Sequence, residues 1–266
     1  MKKIVLALTA LAAFTGSALA ADLPARTYSK APAVVAPVYN WTGFYIFGGG
    51  GGGLWAADSN TLVFPTGAAL TRDTRLGGSG WFGTVGAGYD FQFNSSWVAG
   101  IFADGQFGDI RGSLTEPFCI CEGREKLRTS YAAGVRLGYL VAPNVLSYVN
   151  AGYSGSEWSG TTQTSLFVVN PPTAIFTTPS FHRDGFFVGG GVENSLNFFG
   201  ISAPGWFMKT EYRSAFYNRI TLPETFTPAF GGGPTPDFIT FKPWVQTIST
   251  SIVYRFNWGG PLVAKY

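Results

Sequence analysis

Apolar and polar side chains alternate along residues 244–256 (WVQTISTSIVYRF), near the end of the 266-residue chain. Successive side chains of a β-strand point to opposite faces, so this alternation predicts a strand with one apolar and one polar face. The apolar face carries Trp244, Ile248, Ile252, Tyr254 and Phe256, and the polar face carries Thr247, Ser249, Ser251 and Arg255. Such a strand must separate an apolar environment from a polar one.

The composition indicates which apolar environment this is. Charged residues make up 12% of the chain, whereas soluble domains carry about 25%. After the first twenty residues we find no run of the roughly 18 apolar residues that a transmembrane helix needs. A closed β-barrel is the other structure that satisfies its backbone in lipid, and its strands need about 9 to 11 residues to cross. The sequence therefore predicts a transmembrane β-barrel.

Four segments follow from the order of the chain. Residues 1–20 are predicted to be a signal peptide, because Lys2 and Lys3 precede an apolar stretch and Ala18-Leu19-Ala20 forms a small-x-small cleavage site. Residues 21–39 are an Ala/Pro-rich periplasmic lead-in, residues 40–256 the barrel, and residues 257–266 a C-terminal tail. Loss of the two lysines leaves 16 basic residues against 15 acidic ones. No polybasic surface for nucleic acid is expected.

The spacing of the strand-like segments predicts the topology. Eight such segments occur, at about residues 41–55, 80–93, 97–109, 127–140, 146–156, 183–196, 206–216 and 244–256. Short links follow the second, fourth and sixth, whereas about 13 to 25 residues follow the first, third, fifth and seventh. Short periplasmic turns and long outer loops are typical of outer-membrane barrels. We predict an all-β fold: an eight-stranded antiparallel up-and-down transmembrane β-barrel with four long outer loops and three short periplasmic turns. A soluble lipocalin-like barrel is the structural alternative, but it would place its charges outside.

Charged residues on the polar faces point into the predicted lumen. They are Asp90, Asp104, Arg136, Glu193, Lys209, Glu211, Arg213 and Arg255. Counting residues from the periplasmic turns places Asp90, Arg136, Glu193, Lys209 and Glu211 on one level. Opposite charges in a narrow lumen are expected to pair, since unpaired charges there are costly. We predict a polar plug; the alternative is a gated ion path through rearranged salt bridges.

Six consecutive glycines, Gly48 to Gly53, interrupt the first strand. A phosphate-binding loop would continue with Gly-Lys-Ser/Thr, whereas Leu54 and Trp55 follow here. The run is expected to relax a curved strand and to make room for aromatic neighbours.

Two features of the outer loops could carry chemistry. Cys119 and Cys121 are separated by one residue, so a strained loop disulfide or a pair of reduced thiols is expected. Metal or haem capture there would need further ligands. His182, the single histidine, lies near Ser180 and Asp184. A hydrogen bond at the barrel rim is the preferred interpretation, and a catalytic role is the alternative.

The ends of the mature chain carry a family resemblance. The motifs are AADLP at 20–24, YNWTGFY at 39–45, YRFNWGGP at 254–261 and VAKY at 263–266. With these the chain resembles the RopB-type outer-membrane immunogenic proteins of alphaproteobacteria, whose strands three and seven are matched by Asp104, Lys209, Glu211 and Tyr212. The run of six glycines and the Cys pair depart from that pattern. The resemblance implies an outer-membrane barrel, a role in envelope integrity and surface loops seen by hosts; some relatives are described as haem binders or porins.

The functional expectation is a non-enzymatic outer-membrane barrel with a plugged lumen, which supports the envelope and displays its loops. A small porin-like pore and a haem-binding protein are the alternatives; otherwise no cofactor is expected. The expected partners are outer-membrane lipid, lipopolysaccharide, the barrel assembly machinery, and host or surface ligands. Tyr254 and Phe256 are expected to form the assembly signal, although ten residues follow Phe256.

Overall fold

The structure, a computed structural model, describes residues 39–116, 119–167 and 172–256. The predicted signal peptide, all of the lead-in except Tyr39, and the C-terminal tail lie outside the described residues. Within the described ranges, no helix combines the length and the apolar composition that crossing a bilayer requires.

β-Strands dominate the described ranges. They are β1 (Gly43–Ser59), β2 (Thr61–Val63), β3 (Thr74–Phe93), β4 (Trp97–Glu116), β5 (Cys121–Ala142), β6 (Val145–Trp158), β7 (Thr161–Ser165), β8 (Ala174–Thr178), β9 (Phe181–Ser195), β10 (Trp206–Tyr217), β11 (Ile220–Phe226) and β12 (Pro234–Phe256). Two short 3-10 helices, Leu196–Phe199 and Pro228–Phe230, lie in connections.

Eight of these strands close into a barrel. Their order around the ring is β1, β3, β4, β5, β6, β9, β10 and β12, and every neighbouring pair is antiparallel. The ring closes where β12 returns to β1, in a register that runs from Phe44↔Phe256 to Asp58↔Lys242. The predicted eight-stranded antiparallel barrel is therefore confirmed. We call the end with the short β3–β4, β5–β6 and β9–β10 connections the turn end, and the opposite end the loop end.

The wall continues beyond the membrane-spanning part at the loop end. β2 extends β1 in the same register against β12. β7, β8 and β11 extend β6, β9 and β10, so β5, β7, β8, β11 and β12 pair in that order. We call this part the outer extension. The segments predicted as long loops are thus partly strand. Their inward positions include polar residues such as Thr61, Glu116, Gln163 and Glu224. Because both faces are then polar at these positions, the alternation of apolar and polar residues that predicts a strand is missing.

The outward faces form an apolar band around the barrel. Ile101, Val149 and Trp81 have 63%, 64% and 80% of their surface exposed. Aromatic pairs mark both edges of this band: Trp206 and Tyr254 at the turn end, with ring centroids 5.0 Å apart, and Phe216 and Trp244 towards the loop end, 5.8 Å apart. An apolar band between aromatic girdles is the surface that an outer-membrane barrel presents to lipid.

A β-bulge changes the faces of two residues on β5. The sequence pattern placed Leu127 outward and Arg128 inward, but Leu127 is 3% exposed and Arg128 points outward. Arg128 is the extra residue of β5, because the register against β6 shifts between Leu127 and Thr129, next to a shift against β4 between Phe107 and Ile110. An extra residue in one strand reverses the alternation beyond it, which a strictly periodic reading of the sequence misses.

The glycine run allows β1 to pack closely against its neighbours. A Cβ atom on Gly51 would lie 2.7 Å from the Cα atom of Ser249 on β12. On the next strand, a Cβ on Gly86 would lie 2.5 Å from the ring of Phe47. Glycine at these inward positions lets the wall curve tightly and leaves room for aromatic rings in the lumen.

Candidate functional site: the barrel lumen

Four charged side chains from four strands form a ring inside the turn end of the barrel. They are Asp90 on β3, Arg136 on β5, Glu193 on β9 and Arg255 on β12, and each side chain is at most 2% exposed. Arg136 binds Asp90 with Nε and Nη2, and its Nη1 lies 3.1 Å from Glu193. Arg255 contacts the same two carboxylates, with Nη1 2.8 Å from Asp90 and Nε 2.7 Å from Glu193. Two cations and two anions thus neutralise one another; we call this the lower charge ring.

Aromatic rings surround the two arginines of the lower charge ring. The guanidinium of Arg136 lies 4.4 Å from the ring centre of Tyr45 and 5.2 Å from that of Tyr148. The guanidinium of Arg255 lies 4.6 Å from the Trp41 ring. Cation–π contacts of this kind are worth about 2 kcal/mol or more when desolvated. The aromatic rings also occupy the space around the ions.

A second charge cluster lies on the loop-end side of the first. Arg213 binds both oxygens of Asp104, at 2.9 and 2.6 Å, and reaches Glu211 at 2.8 Å. Lys209 lies 3.8 Å from Glu211, and Tyr148 donates a 2.8 Å hydrogen bond to the same carboxylate. We call this group the upper charge cluster. Tyr148 contacts both groups, because its ring also lies against Arg136.

The eight predicted lumen charges therefore form two groups, and the five that were expected on one level are divided between them. Lys209 and Glu211 were placed beside Asp90, Arg136 and Glu193, but the structure puts them with Arg213 and Asp104. Counting residues from the turns ignores the tilt of the strands. Barrel strands are tilted and staggered, so equal residue counts on different strands do not give equal heights.

Apolar side chains fill the lumen beyond the upper charge cluster. The rings of Phe102 and Phe187 lie 6.0 Å apart across the bore. Further towards the loop end, Trp55, Trp158 and Phe241 pack with ring centroids 5.2 to 5.6 Å apart. At the bulge between β4 and β5, a cavity beside the lumen measures about 10 Å³, close to the space of one water molecule. Charged and aromatic layers thus follow one another along the bore.

The outer extension encloses three buried glutamates that sequence analysis did not single out. Glu116 and Glu125 are each 1% exposed and Glu224 is 3% exposed. Burial raises the pKa of Glu125 to about 7, and burial together with the neighbouring Glu116 raises that of Glu224 to about 8. A signal was available for Glu224, which shares its parity with Leu222 and Phe226, whereas Glu125 lies between Arg124 and Lys126 and showed no such pattern. In the described part of the chain, no group of three or more His, Cys, Asp and Glu side chains is arranged to hold a metal ion.

The other predicted site residues lie at the loop end. Cys119 and Cys121 are joined by a disulfide. The two ring nitrogens of His182 lie 2.9 Å from Glu157 and 2.8 Å from Asp184, and Tyr131 stacks on its ring. Ser180 does not take part in these contacts. Since the sulfurs are oxidised and both imidazole nitrogens bind carboxylates, these residues do not fit the axial ligands of a haem.

Tyr254 and Phe256 end the last strand at the turn end. Phe256 lies opposite Phe44 in the closing ladder, with ring centroids 5.8 Å apart. Tyr254 contacts Phe256 at 4.8 Å and Trp206 at 5.0 Å. The two residues therefore belong to the aromatic girdle of the turn end.

Comparison with known proteins agrees with this architecture. The family described as "Outer membrane protein beta-barrel domain" matches residues 6–256. The 31 kDa outer-membrane immunogenic proteins of Brucella melitensis biotype 1 and Brucella suis biovar 1 are each 26% identical over 216 residues, which cover 80% of this chain and 85% of theirs. The solved structure of the outer membrane protein OprG from Pseudomonas aeruginosa aligns with 82% of this chain and 98% of its own, at 11% identity and a TM-score of 0.47. The chain belongs to the outer-membrane β-barrel domain family, and its location is the outer membrane.

Proposed function

We propose that this protein is a non-enzymatic structural barrel that strengthens the outer membrane and displays its outer extension at the cell surface, with a lumen closed to ions. The observation that supports this proposal is the lower charge ring, in which two arginines and two carboxylates from four strands bind one another. Such a ring ties β3, β5, β9 and β12 together across the bore. Its charged side chains are held by hydrogen bonds and ion pairs, which an ion passing through the lumen would have to break.

The contacts of the wall and of the lumen point to the same role. The lumen is filled by side chains from the turn end to the aromatic cluster around Trp158, as is common for eight strands. The lipid-facing band and the lipopolysaccharide layer around it follow from the outer-membrane location. His182 binds two carboxylates instead of a nucleophile, which favours a structural role over catalysis. The proposal also includes the binding of host or surface ligands by the outer extension.

Conductance in planar bilayers tests the closed lumen. The purified barrel should give no stable channel, whereas the double variant Asp90→Ala/Arg136→Ala, which removes one cation and one anion together, should give brief openings. Arg111→Ala, on the outer face, serves as a control and should stay closed. Stable channels from the wild-type monomer, with conductance proportional to salt concentration, would show that the protein is a small pore.

A haem titration tests the other alternative. We expect no saturable Soret shift when haem is added to the refolded barrel. A saturable shift that His182→Ala abolishes would favour a haem-binding protein instead.

A further inference from the structure

Two glutamates face each other inside the outer extension. Glu116 ends β4 and Glu224 lies on β11, and Glu116 is near enough to raise the pKa of the Glu224 carboxyl group. Asp237 on β12 adds a third negative charge nearby. None of the ion pairs among the described residues connects Glu116, Glu224 or Asp237 to a Lys, Arg or His side chain. Buried carboxylates without a compensating cation are costly.

The hydrogen bonds around this pair leave two oxygens without a donor. Thr61 donates to Oε1 of Glu116, and the amide nitrogen of Gln163 donates to Oε1 of Glu224 at 2.7 Å. Oε2 of Glu116 and Oε1 of Gln163 have no hydrogen-bond partner. Gln163 is 0% exposed, and its carboxamide is anchored to Glu224, so its orphan oxygen belongs to the same group of side chains.

We propose that Glu116, Glu224 and Gln163 form a binding site for one Ca²⁺ ion inside the outer extension. All three supply oxygen, and Ca²⁺ prefers carboxylate, amide-carbonyl and water ligands. An ion between them would give a partner to both orphan oxygens and would neutralise the two carboxylates. A proton shared by the glutamates would leave the Gln163 oxygen unpaired.

The site would join strands that are far apart in sequence. Glu116 lies on β4, Gln163 on β7 and Glu224 on β11, and Thr61 on β2 holds Glu116 in place. One ion would therefore fasten four segments of the outer extension. This inference does not depend on whether the lumen conducts, because the site lies beyond the aromatic layer that closes the bore.

Calcium binding by the whole refolded protein tests the proposal. The protein is refolded in detergent after treatment with a chelator, and Ca²⁺ is added in a calorimetric titration and, separately, before urea unfolding. We expect one Ca²⁺ per chain, a higher urea midpoint with Ca²⁺, and weaker binding of Mg²⁺, which demands stricter octahedral geometry. Glu116→Gln and Glu224→Gln should each weaken Ca²⁺ binding at least tenfold. Glu122→Gln, which removes an outward-facing carboxylate, should leave it unchanged.

Other outcomes would overturn the site. Calcium binding that is absent from the wild type, or is equal in Glu116→Gln and Glu122→Gln, would exclude it. A urea midpoint that rises in Glu116→Gln without any response of the wild type to Ca²⁺ would indicate a shared proton. If the glutamate variants fail to fold, Gln163→Met removes the amide oxygen while it keeps the bulk of the side chain. That variant must also bind Ca²⁺ more weakly than Glu122→Gln does.

Discussion

Arg136 binds Asp90 across the lumen with two of its nitrogens, although β4 lies between their strands in the wall. The two side chains are 2% and 0% exposed. Because the pair connects strands that share no backbone hydrogen bonds, it constrains the shape of the barrel as well as the charge of its interior.

Removal of one partner of this pair should therefore lower the free energy of unfolding. Arg136→Met leaves Asp90 and Glu193 with Arg255 as their remaining cation, and we expect a loss of about 3 to 5 kcal/mol in the free energy of unfolding. Urea unfolding in detergent, followed by tryptophan fluorescence, measures this loss. Arg111→Met, which breaks an exposed pair with Asp109, is the matched control and should unfold close to the wild type. Equal midpoints for the two variants would contradict a structural role for the lower charge ring.

Two glycines of the same run should respond differently to the same substitution. A Cβ on Gly51 would lie 2.7 Å from the Cα atom of Ser249, whereas the nearest atom to a Cβ on Gly48 is 3.8 Å away. Gly51→Val should destabilise the barrel by about 1 to 3 kcal/mol or prevent closure of β1 against β12. Gly48→Val should be tolerated. Heat-modifiability on gels and urea midpoints compare them, and similar losses at both positions would argue against this packing.

The His182 cluster predicts a pH dependence at the loop end. The hydrogen bond to Asp184, and after it the charges of Asp184 and Glu157, raise the pKa of His182 above 6.5. Protonated His182 therefore contributes its full stabilisation at pH values below its pKa in the unfolded state. This contribution is lost as the pH rises through the raised pKa of the folded state. The difference in urea midpoint between wild type and His182→Gln should shrink over that range. A difference that grows with pH would contradict the assignment.

We propose that Phe256 contributes to recognition by the barrel assembly machinery, as the sequence suggested. Phe256→Ala should lower the amount of folded barrel in outer-membrane fractions, while refolding of the purified variant in detergent should be nearly normal, because Phe256 lies in the exposed girdle. Deletion of residues 257–266 is the companion variant. If the deletion lowers the folded fraction and Phe256→Ala does not, the signal lies in the tail.

The strands of the barrel wall could be predicted from the sequence, because each membrane-crossing strand has one face in lipid and one in the lumen. Ile248 and Ser249 show this directly, since burial alternates with residue type along β12. The outer extension lacked this contrast. Thr61, Gln163 and Glu224 are inward-facing polar residues, so β2, β7 and β11 resembled loops. The β-bulge at Arg128 changed the faces of Leu127 and Arg128.

Local periodicity and the lengths of the connections were enough to predict the number of spanning strands, their antiparallel order and the inward direction of the eight lumen charges. Which of these charges bind one another depends on the tertiary structure. Strand tilt and stagger set the heights at which Arg136 reaches Asp90 and Arg213 reaches Asp104. The influence of Glu116 on the pKa of Glu224 likewise depends on how β4 and β11 face each other across the outer extension, a relation between residues 108 positions apart that no local pattern records.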